Sequence, residues 1–268
     1  MTRISVGDIE LYYETVGEGD PILFIHGLGS SSRDWELQTG YFAQQYQVVT
    51  VDIRGHGRSD KPSGRYSVPL FARDVTALIQ ALGVTPVHVV GISMGGMIGL
   101  QLAVDAPDLV KSLVVVNAGP DLRVRTLRDR LQVFQRFAIV WLLGMRKMGE
   151  VLGGRLFPKP GQEEIRRLFA ERWAENDPRA YRAAMRSLVG WSVNDRLGEV
   201  ACPTLFVAAD QDYAPVAVKA AAAARMQRAA VVVIEDSRHA TPVDQPEAFN
   251  QAVCQFLEKQ RTPGPSNG

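Results

Sequence analysis

"VVGISMGGMIGL" (residues 89–100) decides how the chain is read. β-Branched residues stop at Gly91. Ser93 stands between Gly91 and the pair Gly95–Gly96, and an apolar stretch with helical character begins at once. A G-x-S-x-G pattern between a strand and a helix demands a tight turn. Side chains two positions either side of the serine would collide there, and glycine removes the Cβ at both places. Such a turn strains the backbone at Ser93, a cost usually kept for functional positions. It lifts the hydroxyl above the strand ends, beside a helix N-terminus.

Outward from this turn the pattern repeats. Residues 3–13 and 21–27 read as strands, as do 47–55, 87–93 and 110–119, with helical spacing over 67–83 and 94–105. Continuous Val/Ile runs alternating with helices predict a mostly parallel sheet covered on both faces. The rhythm breaks between 120 and 199, where three segments look helical and none looks like a strand. It resumes with 203–210 and 230–237 as strands and with helices at 216–227 and 246–260. The expected organisation is therefore an α/β core of 1–119 and 200–260. A helical cap of 120–199 is inserted after the sixth strand, and 261–268 form a disordered tail. An insertion there covers the carboxyl edge of the sheet, where open α/β folds bind ligands.

Composition excludes several function classes. The chain has 268 residues, 46% hydrophobic and 22% charged, with a formal net charge of +1. That gives no global field for drawing in nucleic acid or anionic membrane. Cys202 and Cys254 are the two cysteines, each in an apolar context, and they read as reduced thiols of a cytoplasmic protein. No Cys/His spacing suits a metal, and no cofactor is implied. "FAIVWLLGM" (137–145) is the longest apolar run and is too short to span a bilayer, so no stable membrane insertion is expected. The N-terminus alternates like a strand and shows no signal-peptide apolar core. Oligomeric state is not readable.

A serine hydroxyl needs a base. Of the four histidines, His26 follows a strand in "FIHGLG", His56 sits in the turn "RGHGRS" and His88 starts a strand. His239 lies in "DSRHATPVDQPEAF", between the last strand and the last helix. A parallel sheet brings that loop to the same edge as Ser93, which makes His239 the expected base. The imidazole must be held in one tautomer by a carboxylate. "FVAADQDYAPV" offers Asp212, which is favoured because it lies further out towards the histidine loop. Asp210, which closes the strand, and Asp121, after the "VVVNAG" strand, are the alternatives. Acyl transfer also needs donors for a developing oxyanion. The N–H of Met94 is one, and by elimination the N–H of Leu28 in "HGLGSS" is the other, with His26 orienting that loop.

"HGLGSSSRDW" (26–35), "DIRGHGRSD" (52–60), "GISMGG" (91–96), "ADQDYAP" (209–215) and "SRHATPVDQPEAF" (237–249) occur in order. Over roughly residues 5–258 the chain resembles the small, capped, cofactor-free members of the α/β-hydrolase superfamily. The resemblance implies that Ser93, Asp212 and His239 form the triad and that "DIRGHGRSD" is a structural turn. A serine at the nucleophile position argues against haloalkane dehalogenases and epoxide hydrolases, which use an aspartyl ester. "HGLGSS" lacks the Gly-Pro-Gly of meta-cleavage-product hydrolases, whereas "SMGGMIG" is similar to 3-oxoadipate enol-lactonases, which usually lack a histidine at 26.

The expected activity is hydrolysis of a small carboxylic ester or lactone through a serine acyl-enzyme, as in carboxylesterases. The alternatives are an enol-lactonase-like, perhydrolase or C–C bond hydrolase with the same triad, or a non-catalytic ligand sensor. Trp35, Met97, Phe137, Trp141 and Leu142 are candidates for an apolar pocket wall. The first inserted segment, 121–150, carries seven basic residues against three acidic ones, a net of +4. It reads either as a solvated face or as attraction for an anionic substrate.

Overall fold

Strand β3 (Asp20–Ile25) shows how the sheet is built. Leu23 and Ile25 point to one face and join an apolar cluster there, while Ile22 and Phe24 join a second cluster on the other face. Burial on both faces is what continuous apolar strands predict. The coordinates are a computed structural model that describes residues 2–124 and 126–260, without the side chains of Arg128, Asp129 and Gln132. The expected tail, 261–268, and the charges of Arg125, Arg128 and Asp129 lie outside the described residues.

The remaining strands are β1 (Thr2–Val6), β2 (Ile9–Val16), β4 (Tyr46–Val51), β5 (Val87–Ile92), β6 (Val110–Val116), β7 (Thr204–Ala209) and β8 (Ala229–Ile234). They form one eight-stranded sheet in the order β1-β2-β4-β3-β5-β6-β7-β8. β1 and β2 pair antiparallel through a turn at Gly7, β2 joins β4 antiparallel, and every later pairing is parallel.

Helices α1 (Glu36–Phe42), α2 (Val68–Leu82), α3 (Met94–Asp105), α7 (Val216–Ala223) and α9 (Pro246–Glu258) flank the sheet, with the short α8 (Thr241–Asp244) just before α9. α2, α3 and α7 cover one face, and α1 and α9 cover the other. α3 is apolar all round and is buried from Met94 to Val104, as expected of a central helix. α2 starts where Ser67 caps it, accepting from the Leu70 N–H, and ends at Gly83 in a left-handed conformation.

Between β6 and β7 the chain forms α4 (Leu127–Leu156), α5 (Glu163–Ala174) and α6 (Pro178–Leu188). α4 is bent at Gly144, whose φ of 79° and ψ of −178° are not helical. These helices share a small core of Val140, Met145, Met148, Leu152, Trp173, Tyr181 and Met185. Leu28 packs against both this core and the core of the sheet. The inserted helices therefore sit directly over the loop that follows β3.

The sheet order places that loop. β3 pairs with β4 on one side and β5 on the other, so successive connections leave in opposite directions. The carboxyl ends of β3 and β5 thus form the crevice where ligands bind in open α/β sheets. The Gly27–Leu28 loop and Ser93 stand at those two ends.

Candidate active site

Ser93 links β5 to α3 with φ 53° and ψ −114°. A non-glycine residue in this region costs on the order of 1–3 kcal/mol and persists only where its surroundings over-determine it. The surroundings here are backbone. A Cβ on Gly91 would meet the carbonyl of Gly95, and one on Gly95 would meet the carbonyl of Ile25, both closer than the 3.0 Å that real Cβ atoms keep. The turn is pinned further by the Ser93 N–H, which donates to Val116 O at 2.9 Å. Met94 is the first residue of α3, where backbone N–H groups have no acceptor within the helix.

The loop after β3 is held from below and above. His26 is fully buried. Its Nε2 accepts from the Ile53 N–H at 3.0 Å, so its Nδ1–H donates to Gly27 O at 2.7 Å. Asp34 accepts from the Gly27 N–H at 3.5 Å and from the Ser30 hydroxyl. From above, the ring of Trp173 lies so near Gly29 that a Cβ there would stand 2.8 Å from it. His26 thus orients the loop, while His56, buried against Arg54 O, is pushed down to about 3 by loss of water and serves the turn. In "DIRGHGRSD" the buried Asp52 carboxylate accepts from the N–H groups of Ser32 and Arg58, both at 2.7 Å.

Asp212 and His239 come together. His239 Nδ1–H donates to Asp212 Oδ1 at 2.6 Å, and the same oxygen accepts from the Tyr213 N–H at 2.7 Å. The Asp212 side chain is 1% exposed and that of His239 20%. Burial works against the Asp212 charge, yet the hydrogen bonds from His239 and Lys219 hold its carboxyl below the usual carboxylate range. Of the two alternatives, Asp210 braces the loop instead, accepting from the Ser237 N–H at 3.0 Å. Asp121 bridges to Ser192 and stands 3.8 Å from Arg123.

Two residues of the site escape sequence reading. Asn117 follows β6 with φ 48° and is buried. Its Oδ1 accepts from the Ala209 N–H at 2.8 Å, and its Nδ2 donates to His239 O at 2.9 Å and Thr241 Oγ1 at 2.7 Å. One amide thereby ties the strand end beside Ser93 to β7 and to the histidine loop. Lys219, on α7, is fully buried with its Nζ 2.5 Å from Asp212 Oδ2. The available signals were a polar residue closing the run "VVVN" and one charge inside "VAVKAAAA".

The expected pocket residues stand in different surroundings. Trp35 is 0% exposed and packs in the core with Phe24 at 4.8 Å and Phe249 at 6.2 Å. Trp141 and Leu142 stand 75% and 67% exposed on α4, while Val140, Met145 and Met148 of the same helix face the core of the inserted helices. Met97 belongs to the core under α3. Phe137 is half-buried against the core of the inserted helices, with the Arg186 guanidinium 5.6 Å above its ring. Beside His239 stands Tyr213, its ring 4.6 Å away, and the Arg136 guanidinium lies 6.0 Å from the Tyr213 ring. Partial removal from water pushes the Tyr213 phenol up, opposed by the charge of Arg136 and, less strongly, of Arg155 and Arg238.

Ser93 in its strained strand–helix turn and the acid-paired His239 on a later loop both follow strands of the parallel part of the sheet. Residues 22–252 match the alpha/beta hydrolase family, and the chain belongs to it. It is 32% identical over 261 residues to the (E)-2-((N-methylformamido)methylene)succinate hydrolase of Acinetobacter baylyi, covering 92% of this chain and 94% of that protein. It is 30% identical over 264 residues to 3-oxoadipate enol-lactonase 2 of the same organism, covering 96% of each. Among solved structures, a thermophilic esterase from Thermogutta terrifontis with malate bound superposes with a TM-score of 0.87. Its identity is 25%, with 98% of this chain and 100% of that one covered. The protein is thus a hydrolase of α/β fold. No helix among the described residues is long and apolar enough to cross a membrane.

Proposed function

We propose that the protein hydrolyses a small carboxylic ester or lactone through an acyl-enzyme on Ser93. The observation that carries this reading is the Asp212–His239 hydrogen bond on the loops of the same sheet edge at which Ser93 is held at φ 53°. The Ser93 hydroxyl attacks the acyl carbon while His239 Nε2 takes its proton. The oxyanion is met by the N–H groups of Met94 and Leu28, one at a helix start and one in the loop clamped by His26 and Asp34. His239 then gives the proton to the leaving alkoxide, which departs as the alcohol, or stays tethered when a lactone opens. A water, deprotonated by His239, attacks the acyl-enzyme and frees the acid and Ser93. Asp212 keeps the proton on Nδ1, so that Nε2 is free to act as base. Residues 120–199 act as a cap over a core of 1–119 and 200–260, excluding bulk water from the acyl group.

A substrate bearing a negative charge away from the ester is favoured by a specific observation. Arg136, Arg155 and Arg238 surround Tyr213 beside His239, and among the described residues no carboxylate pairs with Arg136. The names of the two Acinetobacter relatives, a succinate derivative and an oxoadipate lactone, agree with that charge. The test of the nucleophile is Ser93→Ala. It should fold as the wild type does and lose nearly all turnover of a chromogenic ester, and an aryl phosphonate should label Ser93 and no other serine. Turnover within tenfold of wild type refutes the assignment.

A further inference from the structure

Lys219 is a lysine sealed from water next to the proposed triad. Its side chain is 0% exposed, and the rest of α7 is valine and alanine. Nζ donates to Asp212 Oδ2 at 2.5 Å and to Ala214 O at 2.6 Å. A buried ammonium is costly unless it is paired and hydrogen-bonded, and both conditions are met here by the acid that holds His239. Asp212 therefore spends one oxygen on His239 and Tyr213 and the other on Lys219. The array Lys219–Asp212–His239 is neutral at rest; without the ammonium it would hold an uncompensated negative charge in a dry site.

We propose that Lys219 is a positioning residue of this hydrolase: it fixes the Asp212 carboxylate towards His239 and offsets its charge, so that the pair releases its proton, and the base becomes available, at lower pH. The inference rests on the serine acyl-enzyme reading given above. Its electrostatic part follows from the pair titrating as a unit. A nearby positive charge loosens the bound proton, and a negative charge tightens it.

Tyr213 faces His239 and itself feels the charges of Arg136, Arg155 and Arg238, while Asp210 is engaged at Ser237 and Asp244 at the Arg238 N–H. Lys219 differs from all of them in being fully buried and in direct contact with the acid. An ammonium facing the imidazole across one carboxylate favours the neutral ring over the charged one.

The experiment measures the second-order rate at which a p-nitrophenyl phosphonate modifies Ser93, as a function of pH. The proteins are the wild type, Lys219→Met, Lys219→Gln and Lys219→Arg. Met removes charge and donor; Gln removes the charge but still donates to Asp212, so it keeps the test alive if the Met protein does not fold. The acid limb should move up by about one pH unit or more in Met and Gln and stay with the wild type in Arg. The plateau should fall further in Met than in Gln, because only Met loses the hydrogen bond that orients the acid. An acid limb that coincides with wild type in the neutral variants overturns the proposal, whatever happens to the plateau. Failure of the phosphonate to label Ser93 in the wild-type protein refutes the serine reading itself. Labelling with an unmoved limb refutes only the role of Lys219.

Discussion

Asp212→Asn is the substitution whose outcome the geometry constrains most. The carboxylate now accepts on both oxygens, from His239 at 2.6 Å and from Lys219 at 2.5 Å. An amide has one accepting oxygen and one donating nitrogen, while an ammonium only donates. Among the described residues no other carboxylate reaches the buried Lys219, and a charged donor facing an NH₂ group costs more than the neutral Tyr213 N–H doing so, so the amide oxygen turns to Lys219. The NH₂ group is then turned towards His239 Nδ1, which has to become an acceptor. That forces the proton onto Nε2, the atom required to take the serine proton. A wrong tautomer in an intact site costs up to ~10⁴ in kcat, or about 5.5 kcal/mol. Asp210→Asn, by contrast, retains an oxygen for the Ser237 N–H on an exposed residue and should cost less than about tenfold. The assay is steady-state hydrolysis of a p-nitrophenyl ester, with circular dichroism and a thermal melt to establish folding. An Asp212→Asn rate within tenfold of wild type, or a larger loss for Asp210→Asn, refutes the argument. Adding Lys219→Met to Asp212→Asn should recover part of the loss, since the amide is then free to turn its oxygen to Nδ1–H.

Two further expectations concern the tryptophans and the substrate. Trp35→Ala should lower stability by about 3–5 kcal/mol in a denaturant titration, whereas Trp141→Ala, on the exposed side of α4, should stay within about 0.5 kcal/mol and leave acyl-length preference unchanged; equal effects would contradict the packing described. An ester carrying a free carboxylate on its acyl part should show a higher kcat/KM than its neutral methyl ester, with the advantage shrinking as salt rises and in Arg136→Gln. A preference for the neutral ester that ignores salt would remove the anionic-substrate reading and leave the triad untouched.

What the amino-acid sequence determined by itself was governed by local sterics and chain order. The turn at Ser93 was legible because backbone carbonyls within a few residues, and on the adjoining strand, exclude a Cβ at 91 and 95. The glycines record that exclusion directly. His239 was legible because a parallel sheet sends every strand-to-helix loop to one edge, and only one histidine lies on a late loop. The favoured acid followed from the same logic, though choosing between Asp210 and Asp212 turns on which carboxylate the folded loop aims at Nδ1. The tertiary structure alone decided which aromatic residues are core and which are surface. Trp35 stands among polar residues in "SSRDWELQ" and Trp141 in the apolar run "FAIVWLLGM", yet the first is enclosed by β3, α1 and α9 and the second is turned outward near the bend at Gly144. It alone decided also that Asn117 and Lys219 belong to the site. Their partners lie on other elements, 92–124 residues away for Asn117, or, for Lys219, seven residues back across a loop. A polar side chain becomes part of a site through what the fold seals it against, and one-dimensional pattern carries no record of that enclosure.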